Sequence, residues 1–102
     1  MASAIIGGVI RAGLAKPQTI VVCDKSDEKC ALMQAKGCRV AADAAETVRL
    51  SQTVFLAVKP QNYAEVLASV RSAVTPDKLF VSIAAGISTA YVERESGCSK
   101  VI

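Results

Sequence analysis

The sequence predicts an α/β fold in which a parallel sheet is covered by helices on both faces. Three observations predict it: an apolar share of 52 % with only 4 % aromatic residues, short aliphatic runs between longer segments of helical spacing, and turn signals at the junctions. A core built mainly from Ala, Val, Ile and Leu suits parallel strands, which are buried on both faces. The 102 residues leave room for one small domain.

The predicted elements alternate along the whole chain. Aliphatic runs predict strands at Ile20–Cys23, Cys38–Ala41, Val54–Val58 and Leu79–Ile83. Helical spacing predicts helices at about Ala2–Ala12, Asp27–Lys36, Ala44–Leu50 and Asn62–Ala73. This alternation is typical of right-handed βαβ units and a doubly wound sheet.

Turn residues support these boundaries. Gly13 and Gly37 are placed to end the first two helices. Ser26 is placed to cap the second helix, and Pro60 to open the helix after Lys59, where its missing N–H is harmless. The order of elements is therefore supported by residues outside the apolar pattern.

Composition excludes several classes of protein. The net charge of +3 comes from scattered basic residues, which argues against nucleic-acid binding. The longest apolar stretch, Ala2–Ile10, is too short for a membrane helix and does not resemble a secretory signal. Four cysteines without a C-x-x-C pair, and no histidine, argue against a metal site and against histidine-based nucleophile systems. We expect reduced thiols in a cytoplasmic protein.

Ligands of parallel α/β sheets lie beyond the carboxyl ends of the strands, so the residues just after each run are the candidate site. After the first run, Asp24 could accept hydrogen bonds from a ribose 2′-hydroxyl, whereas Lys25 and Ser26 could hold a 2′-phosphate. A solvated turn with Ser26 as the helix cap explains the same three residues equally well.

Two later segments carry the same ambiguity. Phe55-Leu56-Ala57-Val58-Lys59-Pro60-Gln61 is a buried strand that breaks at a proline just before a helix, where free N–H groups could meet a ligand. Val81-Ser82-Ile83-Ala84-Ala85-Gly86-Ile87-Ser88 offers small side chains to a flat ring. By pattern alone, Lys59 could equally be a solvated charge, and the second segment a packing corner.

These two segments, together with Met1-Ala-Ser-Ala-Ile-Ile-Gly-Gly, resemble the pyrroline-5-carboxylate reductase family in order and spacing, over essentially the whole chain. The opening segment is similar to the residues that come directly after that family's first strand and glycine fingerprint. The resemblance implies a Rossmann-type domain and an oxidoreductase that reduces 1-pyrroline-5-carboxylate to L-proline with NADPH or NADH, in proline biosynthesis.

The resemblance also implies roles for individual residues. Ala57, Val58, Lys59 and Pro60 would line the pyrophosphate and nicotinamide-ribose region, Ala84, Ala85 and Gly86 would border the nicotinamide, and Asp24, Lys25 and Ser26 would face the adenosine ribose. Ala44 departs from the family pattern, which usually has Asn there. No residue of this chain receives a catalytic role.

Both ends of the sequence look cut, because the chain opens with a helix and its last residues, Lys100-Val101-Ile102, read as the start of a strand. We therefore expect residues 1–102 to be a partial dinucleotide-binding domain: a Rossmann-like doubly wound sheet that lacks its first, central strand and the glycine loop. The family's C-terminal dimerisation and substrate domain would also be absent. The parent would be a homo-oligomer, and the chain alone would not turn over.

Two alternatives stay open. One is a non-catalytic truncated paralogue or association subunit that acts through its exposed sheet. The other is the NAD(P)-binding domain of a different reductase, of the 6-phosphogluconate or F420 type, which shares the strand-then-proline pattern but less of the Ser-Ile-Ala-Ala-Gly segment at 82–86.

Overall fold

The computed structural model describes residues 2–84 and 86–102, and the chain divides into two compact units. The first unit ends at Asp43 and the second runs Ala44–Ile102. In the described residues, the strands form two two-stranded sheets, one in each unit.

The first unit is one βαβ unit preceded by a helix. It contains helix α1 (Ala2–Arg11), strand β1 (Val21–Val22), helix α2 (Asp27–Ala35) and strand β2 (Arg39–Val40). The two strands are parallel, and Val21 pairs with Arg39. Each spans two residues, shorter than the predicted runs, because only those residues have partners in the ladder. Among the residues of this unit whose side chains the structure describes, three are apolar and buried: Met33, Cys38 and Ala41.

Glycines end both helices of the first unit, as predicted. Gly13 has φ +71° and donates its N–H to the Ile10 carbonyl, while Leu14 donates to Val9. Gly37 has φ +96°, and two hydrogen bonds of the same pattern close α2. Because glycine tolerates this left-handed backbone, both chain reversals form without steric strain.

The second unit contains three helices and a parallel sheet. Its elements are α3 (Ala44–Arg49), β3 (Thr53–Leu56), α4 (Tyr63–Val70), β4 (Leu79–Ser82) and α5 (Thr89–Ser96). β3 and β4 run parallel with a register from Thr53↔Leu79 to Leu56↔Ser82. Phe80 also forms a parallel bridge with Val101, so β4 lies between β3 and residues 100–102. The predicted strand character of these last residues is therefore confirmed.

The core of the second unit is a single apolar cluster. Alternate residues of β3 and β4 point into it, and one face of each helix covers it. Phe80, Leu67 and Val92 are 0 % exposed, and burying each such side chain contributes roughly 1.5–3 kcal/mol. The remaining members are Val48, Val54, Leu56, Tyr63, Val70, Ala73 and Cys98.

Lys78 is a buried lysine at the amino end of β4. It is 6 % exposed, and its Nζ donates a 2.6 Å hydrogen bond to the carbonyl of Ser51, just beyond the end of α3. The Lys78 carbonyl in turn accepts from the Cys98 thiol at 3.4 Å. Hydrogen bonding to carbonyl oxygen, near the negative end of a helix, offsets the cost of removing the ammonium group from water.

Helix α5 is absent from the predicted elements. Its sequence, Thr89–Ser96, is mostly polar, so the apolar pattern gives little indication of a helix. The structure defines it by its ends: the Ser88 hydroxyl accepts from the Tyr91 N–H at 3.1 Å, and Gly97 closes it at φ +77°. Cap residues were the signal that could have located it.

Candidate functional site

The parallel register of β3 and β4 sends two candidate segments out of the same edge of the second sheet. Leu56 and Ser82 are paired as the last residues of the two strands, so residues 57–60 and residues 83, 84 and 86 follow from the same edge. Ala85 lies outside the described residues. The structure thus brings together the two later segments that the sequence selected as candidate site residues.

The segment after β3 combines two half-buried apolar side chains with an exposed cation. Ala57 and Val58 are half-buried, whereas Lys59 and Pro60 are exposed. Lys59 is extended, and Pro60 opens a 3-10 turn over Pro60–Asn62 that leads into α4. Pro60 has no N–H, and the N–H groups of Asn62 and Tyr63 donate to the Lys59 and Pro60 carbonyls within the turn. The exposed Lys59 ammonium is therefore the group of this segment best suited to an anion.

The segment after β4 is small and open. Ala84 is half-buried and packs against the core, and Gly86 is exposed. Gly86 has φ +83°, and a Cβ added there would meet nothing within 4 Å. Backbone conformation, not crowding, therefore requires the glycine.

Tyr63 connects the two segments, a role that the sequence alone does not indicate. It is the first residue of α4 and is 1 % exposed. Its hydroxyl donates to the Leu56 carbonyl at 3.0 Å and lies 3.1 Å from the Ser82 Oγ. A tyrosine has one hydroxyl proton, so the Ser82 hydroxyl must donate to Tyr63 in this arrangement. An apolar position at a helix start gives no sequence signal for such a link.

Asp24, Lys25 and Ser26 come after β1 and belong to the first unit. The Asp24 Oδ1 accepts from the Ser26 N–H at 2.8 Å, and the Ser26 Oγ accepts from the Lys29 N–H at 3.3 Å. These bonds form an Asx turn and a helix N-cap, as in the interpretation of this segment as a turn capped by Ser26. The turn uses one of the two carboxylate oxygens of Asp24, which is exposed, as is Lys25.

The charges around this turn are mixed. Asp27 and Glu28 occupy the first turn of α2, where the helix dipole favours anions. Together with Asp24 they place three carboxylates near Lys25 and Lys29. A second anionic group brought to this turn would meet repulsion as well as attraction.

The perturbed thiol of the first unit lies away from these strand ends. Burial raises the pKa of Cys38, and the neighbouring Lys36 lowers it by a smaller amount. Cys38 precedes β2, so it is at the amino end of the sheet, opposite to Asp24. In residues 2–84 and 86–102, no three His, Cys, Asp or Glu side chains gather closely enough to hold a metal ion. None of the helices that the structure describes combines the length and apolar character needed to cross a membrane.

A family model described as "NADP oxidoreductase coenzyme F420-dependent" matches residues 1–86. The chain belongs to this family. Within it, the chain is 40 % identical over 94 residues to the pyrroline-5-carboxylate reductase of Methanosarcina acetivorans, which covers 91 % of this chain and 35 % of that protein. It is 35 % identical over 103 residues to the Escherichia coli pyrroline-5-carboxylate reductase, covering 100 % of this chain and 38 % of that protein.

Solved structures give the same relationship. A pyrroline-5-carboxylate reductase from Coxiella burnetii matches with a TM-score of 0.89 at 25 % identity, over 98 % of this chain and 38 % of that one. The pyrroline carboxylate reductase of Plasmodium falciparum, solved with NADP bound, matches in fold with a TM-score of 0.81 at 21 % identity, over 97 % of this chain and 36 % of that one. The predicted α/β fold class is confirmed.

The predicted resemblance to pyrroline-5-carboxylate reductases is also confirmed. The F420-type alternative does not compete with this resemblance. The matching family model carries the F420 description, and the two curated relatives above, which match the same chain, are named pyrroline-5-carboxylate reductase. The chain spans a little over a third of the length of these relatives.

Proposed function

We propose that this chain is the dinucleotide-binding part of an oxidoreductase that uses NADPH or NADH to reduce 1-pyrroline-5-carboxylate to L-proline in proline biosynthesis. The observation that carries the proposal is the register of β3 and β4. It sets a cationic helix-start segment beside a small, open segment at one sheet edge. Ligands of parallel α/β sheets bind at this edge.

The exposed groups at this edge fit a dinucleotide. Lys59 would hold the pyrophosphate, since its exposed ammonium favours anions. Ala57 and Val58 would pack along the nicotinamide ribose. Ala84, Ala85 and Gly86 would border the nicotinamide, because their small side chains let a ring approach the backbone, and a Cβ at Gly86 would meet nothing within 4 Å. When bound, the cofactor supplies the hydride.

Asp24, Lys25 and Ser26 would face the adenosine ribose. Asp24 has a second carboxylate oxygen for ribose hydroxyls, and Lys25 supplies a cation for a 2′-phosphate. Since the carboxylates of this turn oppose a 2′-phosphate while Lys25 attracts it, NADPH would be preferred to NADH only modestly.

The chemistry of reduction would need more than this chain. No catalytic residue is assigned within residues 1–102, and a C-terminal domain for dimerisation and imino-acid binding would belong to the remaining length seen in the relatives. The complete protein would be a cytoplasmic homo-oligomer acting on a small molecule, without nucleic-acid, metal or membrane partners. The chain alone would bind nucleotide and show no turnover.

Nucleotide titration of the chain tests the binding role. The wild-type chain should enhance NADPH fluorescence saturably, and Lys59→Glu should raise the Kd at least about tenfold by placing a carboxylate near the phosphates. Arg71→Glu is the matched control, because it makes the same charge change at the far end of α4. Equal Kd values for the two variants, or no saturable binding by the wild type, would reject the site.

Cofactor preference is tested on the full-length protein by steady-state kinetics with NADPH and NADH. Lys25→Ala should shift kcat/KM toward NADH. Ser26→Asn should shift it less, because Asn keeps the helix cap while it replaces the hydroxyl. An unchanged ratio in Lys25→Ala would remove the role given to that lysine.

Association of chains is a second candidate function, favoured by the edge of β3. In the described residues β3 pairs with β4 on one side only, and its Phe55 side chain is 47 % exposed. β3 carries no charge, so antiparallel pairing with a second copy of this chain would meet no repulsion. Light scattering should show concentration-dependent growth in particle size, and Phe55→Lys should suppress it. A wild-type chain that stays monomeric at all concentrations would exclude this candidate.

A further inference from the structure

Tyr63 forms hydrogen bonds with the last residue of each of the two strands that lead into the candidate segments of the second unit. Its hydroxyl bonds the last carbonyl of β3, at Leu56, and the last side chain of β4, at Ser82. The first bond closes a loop, because the chain leaves the sheet after Leu56 and returns to the same carbonyl through Tyr63. The second bond fixes the point where the other segment leaves.

The surroundings of Tyr63 make this a defined arrangement rather than a chance contact. Its ring is 1 % exposed within the core cluster, which restricts where the hydroxyl can point. The backbone of Ser82 is bound from the other side, through its N–H to the Ile102 carbonyl at 2.9 Å. The described buried side chains leave no polar nitrogen or oxygen without a hydrogen-bond partner. Both bonded groups are therefore held by their neighbours.

We infer that Tyr63 is a positioning residue: its hydroxyl holds residues 57–60 and residues 83, 84 and 86 at a fixed spacing. Its effect on nucleotide affinity rests on the function proposed above, because that function assigns the pyrophosphate to one segment and the nicotinamide to the other. A nucleotide that spans both segments binds more tightly when their spacing is set before it arrives.

The consequence is that Tyr63 acts without touching the ligand. Replacing it with phenylalanine keeps the buried ring and the Leu56–Ser82 pairing of the ladder, and removes only the two hydrogen bonds of the hydroxyl. The two segments should then move more freely relative to each other. The free-energy cost of ordering them on binding should raise the Kd for NADPH.

The test compares Tyr63→Phe with Leu67→Val in the full chain. Leu67 lies one turn along α4 in the same core, so its variant loses stability without touching the link. Amide hydrogen exchange at residues 57–59 and at 83, 84 and 86 should speed up about three- to tenfold in Tyr63→Phe, the factor that one net hydrogen bond supplies. Leu67→Val should leave these segments no faster than the rest of the unit.

Nucleotide titration completes the test. The Kd for NADPH should rise about three- to tenfold in Tyr63→Phe and stay at the wild-type value in Leu67→Val. The effects of Tyr63→Phe and Ser82→Ala should not add in the double variant, because both remove the same link. Additive effects, or equal effects of Tyr63→Phe and Leu67→Val on exchange and affinity, would overturn the inference.

The two proposals fail in different ways. If the wild-type chain binds no NADPH while exchange still rises in both segments of Tyr63→Phe, the proposed function fails and the positioning role stands. If exchange rises in one segment only, or in neither, the positioning role fails whether or not the nucleotide binds.

Discussion

The two units of the chain have the same order of strand, helix and parallel strand, yet they differ in the size of the core and in the length of the strand pairing. Counting the described side chains only, the first unit buries three apolar side chains and pairs two residues of each strand, whereas the second buries ten and pairs four. The second also has a middle strand, since β4 is bonded on both sides. A βαβ order therefore sets the path of the chain, but the width of the sheet determines how large a core it encloses.

The largest expected effect concerns the core of the second unit. Phe80→Ala should lower the free energy of unfolding by about 3–5 kcal/mol, since Phe80 is fully buried in the middle strand. Tyrosine fluorescence measures this selectively, because Tyr63 and Tyr91 both lie in the second unit and the sequence has no tryptophan.

Phe55→Ala provides the control for this measurement. It makes the same truncation in the neighbouring strand, where the side chain is 47 % exposed, and should cost less than about 1 kcal/mol. Similar losses for the two variants would contradict the picture of one concentrated core in the second unit.

A pair of buried cysteines compares the units directly, with one thiol in each. Cys38 is 4 % exposed in the first unit, and Cys98 is 2 % exposed in the second. Pulsed alkylation under native conditions should label Cys38 at least about tenfold faster, because the smaller core opens at lower free energy. Alkylation takes place in the opened state, where Cys38 is no longer buried. The burial that raises the pKa of this thiol in the folded state is then absent. Faster labelling of Cys98 would reverse the ranking of the units.

Two serine caps offer a smaller and equally matched comparison. Ser26 caps α2 in the first unit and Ser88 caps α5 in the second, with hydrogen bonds of 3.3 Å and 3.1 Å. Alanine at either position should cost about 1 kcal/mol. The loss at Ser26 should appear as local fraying of α2 in hydrogen exchange, and the loss at Ser88 as a lower unfolding midpoint by tyrosine fluorescence. Asparagine at each site should restore most of the loss, and identical local fraying at both would show that the units are equally cooperative.

The smallest expected effect is electrostatic and lies in the loop before β4. The side-chain hydrogen bond from Thr75, with a backbone bond adding to it, holds the pKa of Asp77 below its ordinary value. Thr75→Val should raise this pKa toward the ordinary value of an aspartate, as measured by NMR titration. Because the folded pKa is depressed, the contribution to stability is present above the unfolded pKa and is lost as pH falls through the folded pKa. An unchanged Asp77 titration in Thr75→Val would assign the depression to another cause.

The order of the strands and helices was predictable from sequence because apolar periodicity and turn residues agreed. Gly13, Gly37, Ser26 and Pro60 all occupy the positions predicted for them. Helix α5 was not predictable in this way, because a mostly polar helix that buries Val92 and Ser96 shows little apolar periodicity. Nor was the short extent of β1, because ladder length depends on a partner strand that local sequence does not specify.

The candidate site was predictable where it depends on strand ends and not where it depends on side-chain contacts. Parallel strands place Lys59 and Gly86 at one edge by topology alone, so the sequence pattern sufficed. The link through Tyr63 depends on the rotamer of a buried ring and on Ser82, nineteen positions away. No local pattern encodes that pairing, which is why only the structure identified it.

Lys78 can report the opening of the second unit in a surface-labelling experiment. Every other lysine is exposed, so an amine-reactive reagent applied to the folded chain should modify all of them and spare Lys78. Its ammonium is held at the Ser51 carbonyl and reaches solvent only when that bond breaks. In mass-spectrometric footprinting, the ratio of Lys78 to Lys100 modification would therefore measure the open fraction of the second unit without an added probe.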